Sequence, residues 1–161
     1  VTVLVLAAFP DPAGADRAAV AVERLCRAGG VTHHGAATAH WHPGADRPAV
    51  RHHGGAPGVG AVDWSFWGLL LGVALRLPLA AASRGSAGGL TAEMLADVGI
   101  ADQVLNRLRD DVVPGRSVLL VLAPGEAGAP LVEALRALGG RTQRVDLDGS
   151  DERALWATFA A

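Results

Sequence analysis

The chain has no lysine, no tyrosine and one cysteine in 161 residues. Its fourteen basic residues are therefore all arginine, set against sixteen acids, for a formal charge of −2. With no basic excess there is no general positive surface to draw a phosphate backbone, so nucleic acid is not an expected partner. Cys26 has no second thiol to meet, which removes a disulfide framework and makes a cytoplasmic setting the default expectation. A signal peptide is not expected either, because the apolar opening VTVLVLAAF carries no preceding basic residue. What is present is apolar: half of the residues are hydrophobic, enough for one sizeable core and too many for a disordered chain.

Two halves of the sequence resemble each other. VLVLAAF (Val3 to Phe9) leads through a Pro/Gly/Asp turn into a helical pattern ending ERLCRAGG (Glu23 to Gly30). SVLLVLAPG (Ser117 to Gly125) leads in the same way to EALRALGG (Glu133 to Gly140). Each copy then enters a strand-like run, GAATAHW in the first and TQRVDLD in the second. Short Val/Leu runs bounded by turn residues suit buried strands, while Ala18, Val22 and Leu25, or Leu131, Leu135 and Leu138, recur at helical spacing. The glycine pairs at 29, 30 and 139, 140 stand where a helix end needs left-handed backbone. Two such βαβ units can share one antiparallel sheet with both helices on one face. The expectation is one α+β domain of ferredoxin-like split βαβ type over residues 1–161. A hairpin over 36–42 and 49–53, a glycine-rich linker and hydrophobic hairpin over 54–89, helical patterns near Leu90 to Asp97 and Ile100 to Asp111, and a last helix from Asp151 to Phe159 complete it.

Between the halves lies WSFWGLLLGVALRLPLAAA, in which Trp64 to Leu75 reads as a helix free of charge and proline. Such a helix extends roughly 18 Å, short of the roughly 30 Å of a hydrocarbon core. Continuing it would carry Arg76 inside and pass Pro78, so a simple membrane span is disfavoured. Gly68 and Gly72, four apart, expose backbone that a neighbouring helix can approach. Its apolar surface runs nearly all round, and such a helix needs cover on more than one side. The expectation is a homo-oligomer that buries Trp64, Phe66, Trp67, Gly68, Leu70, Leu71, Gly72 and Leu75 between subunits, with a membrane surface as the alternative cover.

FWGLLLG (Phe66 to Gly72), ADVGI (Ala96 to Ile100), VVPGRSVLLVLA (Val112 to Ala123) and ALRALGG (Ala134 to Gly140), in that order, resemble the domain of unknown function 1269 family, whose members have been labelled membrane proteins of unknown function. The resemblance implies a ferredoxin-like body with a glycine-rich hydrophobic helical hairpin inserted between its halves. It supplies no catalytic residues. LPLAAASRGSAGG departs from the implied pattern, being shorter and more polar than a second apolar arm.

All six histidines fall between His33 and His53. His40 and His42 share one strand face, and a register opposing His40 to His52 would gather three imidazoles able to hold a divalent transition metal or to respond to pH. The plainer reading is a polar hairpin face. Elsewhere the chemistry is thin. Cys26 sits in a helical pattern with no partnered base and reads as packing. Asp110 and Asp111 are adjacent at a helix end and read as solvated. GGAPGVG lacks the Lys-Ser/Thr ending of a phosphate loop, and the turn FPDPAGAD has no paired cysteines for a soft metal. The expectation is a non-enzymatic, self-assembling structural protein without a required cofactor.

Overall fold

The computed structural model describes residues 1–55, 60–77 and 93–161. The second arm of the expected hairpin and the middle of the linker lie outside the described residues. Five strands, β1 (Thr2–Phe9), β2 (Gly35–His40), β3 (Ala49–Gly54), β4 (Ser117–Pro124) and β5 (Arg141–Leu147), form an antiparallel sheet in the order β3-β2-β4-β1-β5. The helices are α1 (Gly14–Arg27), α2 (Trp64–Leu75), α3 (Glu93–Asp97), α4 (Asp102–Asp111), α5 (Gly128–Ala137) and α6 (Gly149–Phe159).

The two βαβ units interleave. β4 pairs antiparallel with both β1 and β2, so the strands of the first unit run parallel with a strand of the second between them. β1 likewise separates β4 from β5. The helix ends repeat as well: Gly29 and Gly139 take φ of 79° and 88°, and the amides of Gly30 and Gly140 donate to the carbonyls of Leu25 and Leu135, each at 3.0 Å. That is the six-to-one closure in which the left-handed residue favours glycine.

β1 and β4 are continuous apolar runs because both sheet faces are covered. Val3, Val5 and Ala7 of β1, with Leu119 and Val121 of β4, pack under α1 and α5 through Val22, Leu131 and Leu135. Leu4 and Leu6, with Leu120 and Leu122, face the other way, toward Phe66, Leu70, Leu95, Leu108, Leu155 and Phe159. Both repeat helices lie on one face, as expected. The opposite face is closed by α2, α3, α4 and α6, giving helix, sheet and helix layers.

Asp111, expected to be solvated, is buried and ion-paired to Arg141 of β5 and, at 3.6 Å, to Arg107. It closes the C-terminal turn of α4 against the sheet edge, whereas the neighbouring Asp110 is exposed.

Candidate functional site

The inserted helix occupies the bounds read from the sequence. Asp63 caps its N-terminus, its side chain accepting from the Ser65 amide at 2.7 Å. At the other end Arg76 adopts the left-handed region (φ 56°), and the Leu77 amide returns to the Gly72 carbonyl at 3.0 Å. Arg76 therefore ends the helix and is exposed, so no charge is carried onward inside it. Arg109 of α4 donates from Nε to the Ala74 carbonyl at 2.9 Å, satisfying one of the carbonyls a helix leaves open at its end. The start of α2 is tied to the chain's last residues by the Val62 to Ala160 bridge and by a hydrogen bond from the Ala161 amide to the Ala61 carbonyl.

Every residue from Ser65 to Gly72 is buried. Phe66 and Leu70 are 0% exposed, Trp67 is 2% and Leu71 is 3%. Most of the side chains expected between subunits thus already have cover within the chain. The apolar side chains around the whole helix are covered within one chain, by the sheet on one side and by α3, α4 and α6 on others. An all-round apolar helix needed several covers, and its own fold supplies them. Trp64 and Leu75 are half-buried. Among the described residues, no helix is long and apolar enough to cross a membrane.

One opening remains beside α2. A groove of about 220 Å³ runs between it and β3, with Trp64, Trp67, Leu71 and Leu77 facing Val50 and His52. Gly68 and Gly72 lie along its wall, so the absence of their side chains helps to keep it open. The His52 ring meets Trp64 edge to face, with centroids 4.1 Å apart. Burial, then the neighbouring His53, lowers the pKa of His52 from its ordinary 6.5. β3 is the outermost strand on this side, with Ala49, Val50, Arg51, His52 and Gly54 exposed.

The hairpin register also differs from the one considered in the sequence. His40 lies opposite Ala49, and His52 lies opposite Ala37. Directly opposed residues share a face and successive residues alternate. His52 thus joins Ala37 and Ala39 on the α2 side, while His40 joins Ala36 and Thr38 on the α1 side. The sheet separates the imidazoles that were to meet, and only His40 and His42 remain in ring contact, at 5.1 Å. Among the described residues no three His, Cys, Asp or Glu side chains already stand close enough together to hold a metal ion.

A different pair of histidines comes together on the α1 side. His33 and His53 line a small cavity under α1, with Glu23 also at its wall. Alternation along a strand offered a signal, because consecutive histidines such as His52 and His53 must send one imidazole to each face. Cys26 is half-buried against the same core, and its thiol pKa is raised by burial and by Glu23, the opposite of nucleophile activation.

These features define an antiparallel α+β sheet protein whose second face is closed by a hydrophobic inserted helix. The family model described as "Protein of unknown function (DUF1269)" matches residues 61–160, more than half of the chain, and the chain belongs to that family. No curated protein and no solved structure matches it significantly.

Proposed function

We propose that the body is a ferredoxin-like split βαβ scaffold and that the protein is a non-enzymatic, cytoplasmic assembly module whose partner is a second copy of itself. The observation that carries this reading is an exposed edge strand, β3, running beside an apolar groove. An edge strand presents backbone donors and acceptors to another strand. Antiparallel pairing of β3 with its two-fold mate would satisfy them in a closed dimer and place exposed Val50 in the contact. The insertion contributes through Trp64, Trp67 and Leu71 at the groove, while the rest of α2 acts as core. The raised Cys26 pKa argues only against that thiol as a nucleophile.

Sedimentation velocity over a concentration series, without detergent, tests it. A dimer that dissociates on dilution and is weakened in Val50→Asp, with the fold retained by circular dichroism, is the expected result. A monomer throughout the series, or a dimer indifferent to Val50→Asp, contradicts it. A monomer that instead floats with lipid vesicles would transfer the groove to a membrane surface.

A further inference from the structure

The α1-facing side of the β2–β3 hairpin collects polar atoms that are buried and have no hydrogen-bond partner among the described residues: His33 Nδ1, Thr38 Oγ1, His40 Nδ1 and His53 Nε2. Buried polar atoms ordinarily find a partner in protein, water or an ion. His33 and His53 line one cavity of about 10 Å³, and Glu23 lines it as well. That space suits a single water-sized particle. The remaining walls, Ala19, Val22, Ala36 and Leu119, are apolar and offer nothing that competes for it.

We propose that His33 and His53 anchor a divalent transition-metal ion between α1 and the β2–β3 hairpin, with Glu23 turning in as the third ligand. His33 is 6% exposed, and its Nδ1 has no partner among the described residues. Glu23 is 51% exposed, and its ion pair among the described residues, with Arg27, spans 3.9 Å. Its side chain is thus free to change rotamer. The turn of Glu23 is the movement that completes the site. Two imidazoles and one carboxylate, with a position left for water, suit Zn²⁺, Ni²⁺ or Co²⁺. The site lies on the opposite sheet face from the groove and does not depend on self-association.

The full chain, purified with chelator and then dialysed, is titrated with Zn²⁺ by calorimetry and with Co²⁺ by its visible absorption. One equivalent should bind per chain. Affinity should fall by about tenfold or more in both Glu23→Gln and His53→Gln and stay unchanged in a His40→Gln/His42→Gln double variant. If His53→Gln does not fold, Glu23→Gln, at an exposed helix position, carries the test alone. No stoichiometric binding, binding undiminished by Glu23→Gln, or binding lost in the double variant would each overturn the proposal.

Discussion

The two faces of the sheet are covered by helices of different kinds. On one face α1 and α5 are amphipathic: Val22, Leu131 and Leu135 are buried, while Glu23, Arg24 and Arg136 are exposed. On the other, α2 is apolar around its whole circumference because it lies between the sheet and further helices. A charge-free helix in a small chain is therefore no sign of a membrane or a partner until the chain's own elements have been placed. The amphipathic helices need one cover and α2 needs several.

The sharpest way to break this comparison is to make a cavity on each face. Phe66→Ala should cost about 3–5 kcal/mol and Leu135→Ala about 2–5 kcal/mol in urea unfolding at low protein concentration. If Phe66→Ala left monomer stability within about 1 kcal/mol of the parent, far below the usual cost of emptying a core aromatic site, α2 would not be core. Next comes the helix cap. Asp63→Ala removes the acceptor for the Ser65 amide and should cost about 1 kcal/mol, and on the other face Ser117→Ala, which removes the hydroxyl that accepts from the Ala15 amide in the first turn of α1, should cost about as much. At the far end, Arg76→Gly should raise stability by about 1 kcal/mol, since the left-handed backbone strains any residue with a Cβ. Unchanged thermal midpoints would mean that the turn after Leu75 relaxes.

The smallest effect is one of pH, and it belongs to the α1 face. Burial favours neutral His33 in the folded state, whereas the unfolded chain takes up a proton near the ordinary 6.5. Stability should be complete above that value and decline as the pH falls below it, because the unfolded state then binds more protons. For metal-free protein, a urea midpoint that drops between neutral and mildly acidic pH, and drops less in His33→Gln, is the expected result. Identical slopes would assign the loss to other groups.

Much of the fold was legible in the sequence because local signals agreed. The repeated strand, helix and double glycine located both βαβ units, and the bounds of α2 follow from Asp63, the apolar run and Arg76. The cover of α2 was not legible, since all-round apolarity specifies how many neighbours a helix needs but not which chain supplies them. The hairpin register was hidden for a similar reason. The turn PGADRP permits more than one pairing, and moving His52 from opposite His40 to opposite Ala37 is an odd shift that sends it to the other face. His33 was harder still to assign, because it precedes β2 and its burial depends on where α1 lies.

The central claim is that α2 is core within a single chain, and amide hydrogen exchange of the segment Phe66 to Leu75 tests it most directly. In dilute, detergent-free protein those amides should exchange as slowly as those of β1 and β4, with rates independent of protein concentration. Fast exchange that slows only on association, or only when detergent or lipid is added, would contradict the claim and return the helix to a partner or a membrane.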